Sequence, residues 1–119
     1  MLFILDLDAN TYTNATTLHG LFEGTPDQVK RVLDDDSGIL YFTEEGGVLP
    51  GVHARDATGR FFTILEGDFN DETTGLSFSP DRKFMYVAFQ ERGLLFAVWR
   101  TDGLQFNGRS LNVKYHSTR

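Results

Sequence analysis

Apolar side chains in this chain come in short bursts, Leu2–Leu5, Leu40–Phe42, Phe61–Leu65, Phe84–Phe89 and Leu94–Trp99, each followed by a polar turn such as Gly-Gly, Asp-Gly or Ser-Pro. Bursts of Val, Ile, Phe, Tyr and Thr with that punctuation predict short β-strands joined by tight turns. Within Leu40–Glu45, strand geometry sends Leu40, Phe42 and Glu44 to one face and Tyr41, Thr43 and Glu45 to the other. Apolar residues fall on both faces, so this strand is expected to be covered on both sides, as are Phe84–Phe89 and Leu94–Trp99. Asp56-Ala57-Thr58-Gly59 and Thr101-Asp102-Gly103 supply residues that tolerate positive φ between paired strands. No long helix is predicted. Pro26–Leu33 has Val29, Val32 and Leu33 at helical spacing behind a proline suited to a first turn, but its place in the repeat described next favours a strand.

The bursts recur. Leu2–Thr11, Gly51–Arg60 and Leu94–Gly103 are strand-and-turn units of one kind, and two longer stretches, Pro26–Glu45 and Asp71–Gln90, lie between them. Aligning Asp27 with Glu72 gives an interval of 45 residues, the period of a four-stranded propeller blade. The expected fold is therefore all-β, with antiparallel β-propeller blades in a single partial domain. Residues 1–23 would end one blade, 24–67 would form the next, and 68–119 the one after, with Leu111–Tyr115 as its outer strand. These blades make only an arc of about two and a half, and propellers close with about four to eight. Its partners are then the remaining blades, or further copies through self-association at the open edges.

Composition narrows the function. Seventeen acidic against eleven basic residues give a formal net charge of −6, and the basic residues are scattered, which disfavours a nucleic-acid partner. Eleven phenylalanines are accounted for by sheet-on-sheet packing, and the Asp34-Asp35-Asp36 run reads as a solvated loop. Without cysteine there is neither a disulfide framework nor a thiolate metal site. The apolar start is broken by Asp6 and Asp8, too early for a signal peptide or a membrane span. Asn14-Ala15-Thr16 fits a glycosylation acceptor.

Three blocks of residues carry a family resemblance: Pro26-Asp27-Gln28, Leu40–Gly47 (LYFTEEGG), and Glu72–Asp81 (ETTGLSFSPD) leading to Phe89-Gln90 and Gly93. In these the chain resembles the carboxy-terminal blades of the PhoX-type alkaline phosphatases, six-bladed propellers that bind calcium and, in the characterised enzymes, combine it with iron to hydrolyse phosphate monoesters. The resemblance implies a calcium-dependent parent enzyme acting on phosphate esters and placed outside the cell or in the periplasm. It departs at one point that matters, since the family's iron ligand is a cysteine and this chain has none. Catalysis by this chain alone is not expected.

Candidate metal ligands are Asp27 and Glu72, read as equivalent positions in successive blades, together with Glu44 and Glu45 at the end of a strand. Converging carboxylates are the ligands a hard cation such as calcium needs. Weaker catalytic candidates are His53 and Arg55, which share a strand face; an arginine beside a metal could hold a phosphate bidentately. Their alternative role is an ion pair or hydrogen bond between blades. His19 and His116 have no companions at ligand spacing, and the zincin, P-loop and serine-hydrolase motifs are absent. Two other functions suit the same pattern: a non-catalytic, calcium-stabilised propeller for adhesion or scaffolding, and a hydrolase of the lactonase type built on the same scaffold.

Overall fold

The computed structural model describes residues 2–15, 22, 24–32 and 34–106. Every regular element among them is a strand: β1 (Leu2–Asp6), β2 (Thr11–Ala15), β3 (Thr25–Lys30), β4 (Leu40–Glu45), β5 (Gly51–Arg55), β6 (Phe61–Glu66), β7 (Thr73–Phe78), β8 (Phe84–Phe89) and β9 (Leu94–Trp99). The all-β expectation holds, and Pro26–Lys30 is strand as expected. No helix among the described residues is long and apolar enough to cross a membrane. The predicted strand Leu111–Tyr115, the sequon's Thr16, His19 and His116 lie outside the described residues.

Every strand pairs antiparallel with its sequence neighbour. The hairpin β1-β2, the four-stranded meander β3-β4-β5-β6 and the three-stranded meander β7-β8-β9 are separate sheets. Phe61–Glu66 closes the second sheet as its fourth strand.

The turns hold by the chemistry that marks them in the sequence. The Asp56 carboxylate accepts from the Thr58 and Arg60 backbone N–H groups at 2.9 and 3.0 Å and from the Thr58 hydroxyl at 2.7 Å. Gly59, at a φ of 92°, then lets the chain turn back into β6. At Ser79–Arg82 the Ser79 hydroxyl donates to Asp81 at 2.6 Å and accepts the Phe84 N–H at 3.0 Å. Asp102 closes the turn after β9, where its hydrogen bond from the Arg100 side chain holds its carboxyl down to about 2.

β4 is buried on both faces, as its pattern predicts. One face of the second sheet, with Tyr41, Val52, Ala54 and Phe62, packs against Leu76, Met85 and Val87 of the third sheet and against Phe106. The Tyr41 hydroxyl lies inside this core without a hydrogen-bond partner among the described residues, and burial, followed by the charge of Asp35, pushes it above the usual tyrosine value. The other face groups Leu40, Phe42 and Phe61 with Phe22. Phe22 sits edge-on to Phe42 and Phe61 at 5.5 and 5.6 Å between ring centroids, a favoured aromatic geometry.

Polar side chains fasten the two larger sheets together. The Thr73 hydroxyl, fully buried at the start of β7, reaches the Gly51 carbonyl at 2.7 Å and the Glu44 carbonyl at 3.1 Å, and accepts the Glu44 N–H at 3.0 Å. Gln28 of β3 donates to the Thr74 hydroxyl at 2.7 Å and accepts the Leu76 N–H at 3.2 Å. A buried backbone group needs such a partner, so these bonds fix the third sheet in one register on the second.

Candidate functional site

Equivalence between the sheets is set by their hydrogen-bond ladders, and it differs from the sequence alignment. The β3-β4 ladder shifts register between Pro26 and Val29, and the β7-β8 ladder shifts between Thr74 and Ser77. The two bulges lie 48 residues apart (74 − 26), three more than the interval read from the sequence. Asp27 occupies the β3 bulge, and its structural counterpart is Gly75 in the bulge of β7. Glu72 stands one residue before β7, where its carbonyl accepts the Gln90 N–H at 2.9 Å. The ladder aligns two bulges, and an acid-to-acid match in the sequence does not reveal them, because a bulge adds a residue without changing residue type.

Asp27 and Glu72 nevertheless belong to one acidic end of the molecule. Partial burial raises the Glu72 carboxyl above its ordinary value, and the charges of Glu45, Asp27, Glu91 and Asp71 raise it further. β3 begins, β4 ends and β7 begins at this end. Asp71 beside it has a different role. Although burial works against its charge, the backbone N–H groups of Glu72, Glu91 and Arg92 bring its carboxyl below the usual range, with bonds of 2.7 and 2.9 Å from the first two. Its other oxygen lies 3.9 Å from the Arg92 guanidinium, which stacks over the Phe69 ring at 4.0 Å. Asp71 therefore holds the turn after β8 against the chain entering β7, and nothing in its sequence context marks it as buried.

Glu44 is set apart from the other three candidates. Its side chain is 2% exposed and its Oε2 meets Nε2 of His53, itself 1% exposed, at 2.9 Å. Its Oε1 accepts the Gly24 N–H. A side chain on Gly24 would collide with the Glu45 and Gly46 carbonyls, so only glycine brings the backbone this close. Nδ1 of His53 lies 3.0 Å from the Thr63 hydroxyl, and Phe22 covers the imidazole at 4.2 Å between centroids. A carboxylate facing Nε2 requires the proton on that nitrogen, which leaves Nδ1 of a neutral ring to accept from Thr63. The result is a closed Gly24–Glu44–His53–Thr63 chain of hydrogen bonds across β4, β5 and β6. Glu44 and Glu45 thus point to different surroundings, as strand alternation demands. Of the two, Glu45 is the one open to solvent, at the acidic end.

Arg55 does not reach that end. It pairs with Leu40, at the opposite end of the β4-β5 ladder from Glu45, and its guanidinium folds over the Asp56–Gly59 turn, donating to the Asp56 carbonyl at 3.4 Å. Among the described residues Arg55 is therefore not grouped with the candidate metal ligands. Among the described residues no three His, Asp or Glu side chains are grouped closely enough to hold a metal ion. The acidic end supplies hard oxygen donors in mutual repulsion, a donor set whose chemistry suits calcium, and it supplies less than a complete coordination shell. Comparison with protein-family models, with characterised proteins and with solved structures finds no match for this chain.

Proposed function

We propose that this chain forms successive blades of a calcium-dependent, PhoX-like propeller, in which it contributes cation-binding carboxylates and blade packing and leaves the reacting groups to the rest of the parent protein. The observation that carries the reading is the acidic end, where burial and then the charges of Glu45 and Asp27, from the neighbouring sheet, raise Glu72. A divalent cation relieves that repulsion. One or two of Asp27, Glu45 and Glu72 would ligate the calcium, since the three are not grouped closely enough to share one ion, and the remainder of its roughly six to eight oxygens would come from other blades, backbone carbonyls or water. The meander of residues 24–67 and its three-stranded successor suit consecutive blades.

A non-catalytic role for these residues is favoured by the two catalytic candidates themselves. His53 is enclosed by Glu44, Thr63 and Phe22, and Arg55 lies at the other end of its strand, so neither faces Asp27, Glu45 or Glu72. In the parent, phosphate-ester hydrolysis would draw on calcium for charge neutralisation at the phosphoryl oxygens. The iron that the resemblance adds has no thiolate to meet it here. Calcium at ten times its dissociation constant should stabilise the folded chain by about 1.4 kcal/mol, measured as a rise in Tm. Asp27→Asn/Glu72→Gln should abolish the rise, whereas an undiminished response in that variant refutes the assignment.

A further inference from the structure

At the end of the sheets opposite the acidic one, a cavity of about 330 Å³ opens between β3 and β7, lined by Lys30, Arg31, Val32, Asp34, Ser77, Phe78, Ser79, Pro80 and Arg82. That volume lies near the small end of ligand sites, and roughly 150 Å³ already admits benzene. In a chain of net charge −6, three cations around one cavity stand out from the scattered basic residues elsewhere. None of the three has a carboxylate partner within 4 Å among the described residues. The Arg82 guanidinium donates to the Asp34 backbone carbonyl at 3.0 Å, which fixes it on the cavity wall and leaves its charge uncompensated. Asp34 is the one acid in the lining. Asp81, in the adjoining turn, is engaged by the Ser79 hydroxyl at 2.6 Å and the Lys83 N–H at 3.2 Å. The Ser77 hydroxyl makes no hydrogen bond among the described residues. Phe78, held by Tyr41 and Phe106 at 4.9 and 5.8 Å between centroids, provides a rigid apolar wall beside Val32 and Pro80.

We infer that this cavity binds a small organic oxyanion, a carboxylate or phosphate carried on an apolar body. Lys30, Arg31 and Arg82 face the anionic head, Ser77 offers it a hydroxyl donor, and Phe78, Val32 and Pro80 receive the apolar part. Guanidinium groups suit planar and tetrahedral oxyanions because their donors are presented as a fork. The proposal is of binding alone. The inference does not depend on the calcium reading, since the two sites lie at opposite strand ends and use opposite charges.

The test titrates benzoate, phenyl phosphate and inorganic phosphate into the whole chain in calcium-free buffer, following the backbone amide resonances of Ser77, Phe78, Ser79, Asp81 and Arg82 and the heat of binding. Saturable binding is expected, tighter for the two aryl probes than for inorganic phosphate and weakening as salt is raised. Lys30→Gln/Arg31→Gln should reduce affinity about tenfold for each charge-assisted hydrogen bond lost. Those two exposed side chains make no hydrogen bond within the described structure, so the variant should fold normally. Arg82→Gln should weaken binding as well, with some loss of stability from the released Asp34 carbonyl. Absence of a saturable response to any of the probes, an affinity indifferent to salt, or full affinity in folded Lys30→Gln/Arg31→Gln would overturn the proposal.

Discussion

Two carboxylates of similar sequence setting have opposite fates, and their neighbours decide which. Glu44 is buried against an imidazole and a backbone N–H, while Glu72 faces other carboxylates. The Glu72 pKa is raised in the folded state, so the folded chain holds that proton more tightly than the unfolded one. Stability then falls as pH rises from the ordinary glutamate value of 4.5 through the raised one. In calcium-free buffer Glu72→Gln should match the parent chain in Tm near pH 4 and exceed it at pH 7; a difference that stays constant with pH would show that the repulsion is unimportant. Position in the repeat made Glu72 a candidate ligand, and the end of a strand made Glu44 one. Nothing in the sequence distinguishes them, since the His53 partner comes from another strand and the Glu72 neighbours from another sheet.

At the scale of the elements, strands and turns were legible because their determinants are local: alternation, β-branched and aromatic residues, and Asp or Gly where the backbone must reverse. Register was not. The bulges in β3 and β7 move the true equivalence to 48 residues (74 − 26), and Gln28, Thr43, Thr73 and Thr74, ordinary strand residues by sequence, turn out to tie strands and sheets together. Thr73→Val keeps the shape and removes a hydroxyl that serves the Glu44 N–H and the Gly51 carbonyl, both buried. It should cost about 1–3 kcal/mol in chemical denaturation. Thr74→Val, which removes a single bond at a half-buried position, should cost less. Equal costs would mean that Thr73 does not anchor the two sheets.

On the scale of the molecule, the third sheet ends in a strand with apolar side chains in solvent. Leu95 is 73% and Trp99 61% exposed, Leu94 and Phe96 are exposed beside them, and β9 has no partner on its outer edge among the described residues. An exposed run of apolar side chains favours association with another surface. Under the proposed arrangement a neighbouring blade would cover these side chains, and in the isolated chain a second copy would take its place. Light scattering should therefore show concentration-dependent association, reduced in Leu95→Ser/Trp99→Ser. A strictly monomeric chain at high concentration would count against a missing neighbour at β9.

Periodicity and turn chemistry in the sequence determined the all-β class, the antiparallel pairing of short strands, burial of β4 on both faces and the acidic character of the chain, because each depends on residues near one another along the backbone. Only the tertiary structure decided that Glu44 joins His53 and Thr63, that Arg55 faces away from the carboxylates, that Asp27 and Glu72 occupy different ladder positions, and that Lys30, Arg31 and Arg82 surround one cavity. Those outcomes depend on which bulge shifts which ladder and on how one sheet settles on the next. Such long-range contacts are selected by packing and hydrogen-bond satisfaction, and local pattern carries no record of them.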